Sequence, residues 1–169
     1  MSMHPIAFAA SRPDHPAVIM TGSSKQMTYG EMDKSANQFA HLLRSRELGP
    51  NAGTDKGPDA FAVLLEHRLE YYVLNWGSQR LGTMLVPVST RLTAPEIAYI
   101  LSDSETKLLV TSTKFADVSK ELRTLCPDIE ILVLDSDGSD DFGAEMAKHS
   151  EAKVEDQYAG LIMLYSSGT

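Results

Sequence analysis

The chain has 169 residues, enough for one domain that buries roughly 70% of the surface its unfolded form exposes. Its 43% hydrophobic and 22% charged residues exclude a disordered tail or a fibrous repeat. A net charge of -8 provides no positive field to attract nucleic acid or an anionic membrane surface, and no apolar run approaches the roughly 20 residues of a transmembrane segment.

Met1-Ser2-Met3-His4-Pro5 shows no basic segment followed by an apolar stretch, so no secretory signal is read and a cytoplasmic location is expected. Residues 17–20 and 25–27 flank Thr21-Gly22-Ser23-Ser24, the composition of a hairpin. Thr28-Tyr29-Gly30-Glu31 is a capping box: threonine and glutamate side chains each satisfy the other's free backbone N–H, so a helix starts here. Met32, Ala36, Phe39 and Leu43 then share one face, the pattern of a core stripe. From Gly49 to Asp59 turn formers dominate and a surface loop follows. Residues 60–65 are continuously apolar, as in a strand buried on both faces of a parallel sheet.

The spacing predicts a helix over 70–81 and a strand over 84–88, with Pro87 marking an edge or a strand end. A second capping box, Thr93-Ala94-Pro95-Glu96, opens a helix that carries Ile97, Ile100 and Leu101 on one face and closes near Ser102-Asp103. Strand 107–111 follows, then a helix with Phe115, Val118, Leu122 and Leu125 on one stripe. Cys126 stands before Pro127 at the helix end; a single cysteine makes no internal disulfide and is read as structural. After strand 130–134 comes a polar stretch to Asp156 with a short helix over 142–149. Residues 159–165 read as a buried strand that delivers the chain to Ser166, Ser167, Gly168 and Thr169.

Strand and helix alternate with short connections, so the fold class is α/β around a mostly parallel sheet. Open sheets of this kind take ligands beyond the carboxyl ends of their strands. A hydroxyl-rich turn there suits polyphosphate, because glycine lets the backbone approach and hydroxyls and N–H groups donate to phosphate oxygens. Taken alone, Ser-Ser-Gly-Thr is an ordinary turn. No Walker Gly-x-x-x-x-Gly-Lys or dinucleotide Gly-x-Gly-x-x-Gly occurs. His4, His15, His41, His67 and His149 show no spacing that joins two on one metal. Residues 135–141 lack the order and terminal glutamate of an EF-hand, leaving an acidic solvated loop.

Whole segments of the chain resemble the adenylate-forming superfamily of acyl-CoA synthetases, aryl-CoA ligases, luciferases and peptide-synthetase adenylation domains. Met27-Thr28-Tyr29-Gly30-Glu31-Met32 is similar to its Thr-Tyr-x-Glu-Leu segment, with Ala36-Asn37 at the family's distance. Gly82 through Leu92 resembles Gly-x-x-x-x-Pro-x-x-x-x-Leu, and Tyr99 through Ser104 leading into 107–110 resembles the next helix and strand. The last residues resemble the opening of the phosphate loop, Tyr-Thr-Ser-Gly-Thr-Thr-Gly-x-Pro-Lys-Gly, with Ser166 keeping the hydroxyl of the usual threonine.

The resemblance implies that residues 1–169 form the N-terminal portion of an AMP-binding domain. That portion is incomplete, ends inside the phosphate loop and lacks the C-terminal domain. It further implies that Ser166, Ser167, Gly168 and Thr169 contact the β- and γ-phosphates of ATP with its Mg2+, and that a carboxylic acid becomes acyl-AMP and is passed to coenzyme A. A fatty acid is the first substrate class and an aryl acid the second. No catalytic or metal-binding residue is assigned within this chain, which is expected to be inactive alone, and no oligomeric state is read. The rival reading is a non-catalytic truncated domain. Two departures stand out: a 49–59 connection longer than the family's compact turn, and Leu69 in place of a proline. Apolar surface around 161–164 is expected to be exposed.

Overall fold

The structure, a computed structural model, describes residues 5–138 and 141–166. A short helix α1 (Pro5–Ser11) leads into an antiparallel hairpin of β1 (Pro16–Ile19) and β2 (Gln26–Thr28), closed by the Met20 N–H donating to Lys25 O at 2.8 Å. Helix α2 (Tyr29–Ser45) starts at the anticipated capping box: Glu31 N–H donates to Thr28 Oγ1 at 3.2 Å and Thr28 N–H to Glu31 Oε2 at 2.8 Å. These hydrogen bonds hold the Glu31 carboxyl below its ordinary range. Met32, Ala36, Phe39 and Leu43 are all buried.

A parallel five-stranded sheet follows. Its strands are β3 (Ala60–Leu64), β4 (Met84–Pro87), β5 (Leu108–Ser112), β6 (Glu130–Leu134) and β7 (Leu161–Ile162), in the order β6-β5-β3-β4-β7. Pro87 closes β4, an interior strand, where the missing N–H costs no ladder bond. Helix α3 (Glu70–Leu81) joins β3 to β4. Helix α4 (Ala94–Asp103) returns the chain to β5, and α5 (Ala116–Leu125) continues to β6. A one-turn helix α6 (Phe142–Met146), shorter than the 142–149 expected, precedes β7.

The strands alternate sides, and two cores result. Phe61, Val63, Leu85, Leu108, Val110 and Leu132 pack against α2, α3 and α6, while Ala62, Leu64, Val86, Leu109, Ile131 and Val133 pack against α4 and α5. Helices α2 and α3 approach closely because Gly77 has no side chain; a Cβ there would lie 2.7 Å from Phe39 Cδ1 and 2.9 Å from Ala36 O. The long connection after α2 closes on itself: Asp59 N–H donates to Gly49 O at 2.9 Å and Gly49 N–H to Asp59 Oδ2 at 3.1 Å. The added residues therefore leave the start of β3 in register with its neighbours.

Two expectations fail. The strand read as buried over 159–165 is a two-residue edge strand, with Leu161 53%, Ile162 50% and Leu164 75% exposed, which agrees instead with the expectation of exposed apolar surface around 161–164. Among the described residues β7 has one neighbouring strand, β4, and no helix covers the side of it that Ile162 and Leu164 occupy. Leu125, placed on the α5 stripe, is half-exposed at the last turn of that helix. Among the described residues no helix is long and apolar enough to cross a membrane.

Candidate phosphate site and the switch-point crevice

Every strand of the sheet points its carboxyl end the same way, so the loop after β7 lies on the edge where such sheets receive ligands. β7 is hung on β4 by Leu161 N–H to Thr83 O at 3.0 Å and Met163 N–H to Leu85 O at 2.9 Å. Upstream, Tyr158 N–H donates to Arg80 O at 3.2 Å. Met163 and the partly buried Tyr165 turn toward the α4 and α5 core. The Tyr165 hydroxyl donates to Asp103 Oδ2 at 2.6 Å. Burial and then this bond to a carboxylate push the phenol up to about 12. Ser166 follows, exposed. Ser167, Gly168 and Thr169 lie outside the described residues.

The order of the strands reverses between β3 and β5: α3 leaves β3 on one face of the sheet and α5 leaves β5 on the other. Such a switch point opens a crevice suited to a ligand. In this chain side chains bridge it. Ser112 Oγ donates to Glu66 Oε2 at 2.7 Å, and Arg68 donates to Asp135 at 2.5 and 3.2 Å and to Glu70 at 3.0 and 3.1 Å. Burial alone raises the Glu66 carboxyl, but the Ser112 hydroxyl and neighbouring cations hold it below its ordinary range. Arg68 is held charged by the Asp135 and Glu70 hydrogen bonds. A cavity of about 740 Å³ lined by Ile19, Met20, Leu65, Arg68, Tyr71 and Tyr72 adjoins this network. The charged groups answer one another, so the crevice is an ionic tie across β3, β5 and β6.

Sequence reasoning passed over Arg68, although Glu66-His67-Arg68-Leu69-Glu70 directly after an apolar strand carries the signal. It also left residues 135–141 as a merely solvated loop. Asp135 instead pairs with Arg68, and Asp141 caps α6 by accepting the Ala144 N–H. Among the described residues no group of three His, Cys, Asp or Glu side chains can hold a metal. His41 contacts Ala152 O at 2.9 Å, tying α2 to the segment before β7, and His15 contacts the carbonyl of its neighbour Pro16 at 3.1 Å. Cys126 caps the end of α5, and burial raises its thiol above the ordinary value, consistent with an inert role.

A doubly wound parallel sheet with helices on both faces and an exposed serine, Ser166, beyond the carboxyl end of an edge strand defines the class: an α/β domain. Residues 7–169 match the AMP-binding enzyme family, and the chain belongs to it. It is 33% identical over 165 residues to a fatty acid–[acyl-carrier-protein] ligase, ScoC, of Streptomyces coeruleorubidus, covering 95% of this chain and 29% of that protein. It is 30% identical over 164 residues to the long-chain-fatty-acid–CoA ligase FadD13 of Mycobacterium tuberculosis, covering 95% of this chain and 31% of that one. The solved N-terminal domain of FACL13 from Mycobacterium tuberculosis superposes with a TM-score of 0.80 at 26% identity, over 96% of this chain and 40% of that domain. The chain thus spans less than a third of the length of these two ligases.

Proposed function

We propose that residues 1–169 are the N-terminal portion of the AMP-binding domain of a ligase that activates a carboxylic acid with ATP and passes the acyl group to coenzyme A. In this reading Ser166, Ser167, Gly168 and Thr169 grip the β- and γ-phosphates. The observation that carries it is positional. An exposed serine hydroxyl stands at the carboxyl end of a parallel strand, in a chain whose family is defined by AMP binding.

The carboxylate attacks the α-phosphorus, pyrophosphate leaves, and a thiol then displaces AMP. Holding the two outer phosphates fixes the leaving group in line and stabilises the charge that develops on it, the main levers available to a protein in this chemistry. The residue types suit such a grip, since hydroxyls and backbone N–H groups donate and glycine admits the phosphate oxygens. Magnesium would accompany the ATP, and no residue among 1–169 is assigned to it in this reading.

A fatty acid is the substrate class favoured, because both ligases above carry fatty acid in their names. An aryl acid is the second class. In this reading no residue among 1–169 is assigned to the chemical step, so residues 1–169 by themselves are not expected to turn over. ATP–pyrophosphate exchange by purified residues 1–169, with fatty and aryl acids in turn, tests this. Exchange at the level of a protein-free control is the expected result, and exchange above it contradicts the assignment.

A further inference from the structure

The strand that presents Ser166 is poorly held by burial. Leu161 and Ile162 are each half-exposed, Leu164 is three-quarters exposed, and among the described residues β4 is the only strand beside β7. Specific contacts must therefore decide where it lies, and the structure shows one at each end.

At the start, Gly160 sits against the junction of α3 and β4. A Cβ on it would meet Ser78 O at 2.7 Å, Thr83 O at 2.9 Å and Gln79 Cα at 3.0 Å. These are backbone atoms and cannot turn aside. The junction is itself braced: Ser78 Oγ donates to Thr83 O at 3.1 Å and Thr83 Oγ1 donates to Ser78 Oγ at 3.1 Å, both buried. At the far end, the Tyr165 hydroxyl donates to Asp103 Oδ2 at 2.6 Å. Asp103 is the last residue of α4, and its surroundings are fixed. Glu96 closes the capping box on Thr93 N–H at 2.7 Å, and the buried Ser104 hydroxyl donates to Ile100 O at 2.7 Å and pairs with Thr106 Oγ1 at 2.8 Å.

We propose that Asp103 is a positioning residue for the phosphate-loop strand: by accepting the Tyr165 hydroxyl it fixes where β7 releases the chain at Ser166, as Gly160 fixes where β7 begins. The importance of that position rests on the reading of Ser166 as part of the phosphate grip. The positioning itself is a property of this chain and can be measured in it.

The test is amide hydrogen exchange on the isotope-labelled 169-residue chain. Asp103→Ala and Tyr165→Phe each remove a bond to a charged group, so the Met163 amide, bonded to Leu85 O, is expected to exchange roughly tenfold faster, with core amides such as Val63 unchanged. Asp103→Asn keeps an acceptor oxygen and stays within about twofold of wild type. The phenol of Tyr165, also faced by Tyr99 and Ser104, titrates lower in Asp103→Asn because the carboxylate charge is gone. A purely structural weakening of α4, made with Thr93→Ala, moves all its amides together and leaves that titration in place. Gly160→Ala accelerates exchange at Leu161. Wild-type exchange at Met163 in Asp103→Ala overturns the proposal. If the exchange pattern holds while pyrophosphate leaves Ser166 unmoved in the wild type, the phosphate reading fails and the positioning stands.

Discussion

Arg80 is 2% exposed, between α2 and α3, and its guanidinium donates to the Asp33 carboxylate, to Asp33 O at 2.9 Å and to Asn37 Oδ1. Asn37 in turn donates to Glu151 O at 3.1 Å, so the network reaches the segment that leads to β7. Lysine cannot reproduce the planar fork. Arg80→Lys is predicted to lose about 2 kcal/mol, read from the midpoint of urea unfolding. Nothing in the local sequence announced this residue, since a helical stripe assigns arginine to solvent and its partners lie more than forty positions away. At the same scale, Asp59, Glu66, Asp135, Glu145 and Asp156 are all held below their ordinary range. The unfolded chain binds more protons at these groups, so their stabilisation is full above about pH 5 and is lost as pH falls through about 4 and below. Burial holds the His149 imidazole low as well, which gives the same sign beginning below about 6.5. The urea midpoint is expected to fall in order from pH 7 to 5.5 to 3.5; a flat profile contradicts these assignments.

The elements were legible where their signals are local. Both capping boxes, the α2 stripe, the continuously apolar strand Ala60–Leu64 and the strand Glu130–Leu134 stand where the residues put them. Thr28→Ala and Thr93→Ala are each predicted to cost about 1 kcal/mol in chemical denaturation. Gly77→Ala is predicted to cost about 1–3 kcal/mol, since the added methyl has to displace Phe39 or part α2 from α3. For β7 the buried reading failed while the expectation of exposed apolar surface around 161–164 held, and the reason is physical: an apolar run looks the same whether or not a neighbour covers it, and burial at a sheet edge is set by what lies beyond the strand. Leu125 failed likewise, its stripe continuing after the partner surface had ended. The switch-point tie was hidden because Glu66, Ser112 and Asp135 come together only once three strands are aligned.

At the scale of the whole sheet, the bare side of β7 departs from a closed α/β core among the described residues. Ile162 and Leu164 present apolar area to solvent, and a dye that binds exposed hydrophobic surface is predicted to fluoresce with the native chain. Ile162→Thr with Leu164→Thr is expected to reduce that signal while changing stability by no more than about 0.5 kcal/mol, because neither residue is buried. The family was legible from segment-long similarities, while the last three residues of the proposed phosphate grip fall outside the described structure. Chemical-shift mapping of the labelled chain with pyrophosphate addresses that grip most directly. Shifts centred on Ser166, Ser167, Gly168 and Thr169 are predicted; shifts centred instead on Glu66, Arg68 and Tyr71 at the switch-point crevice, or none at all, contradict it.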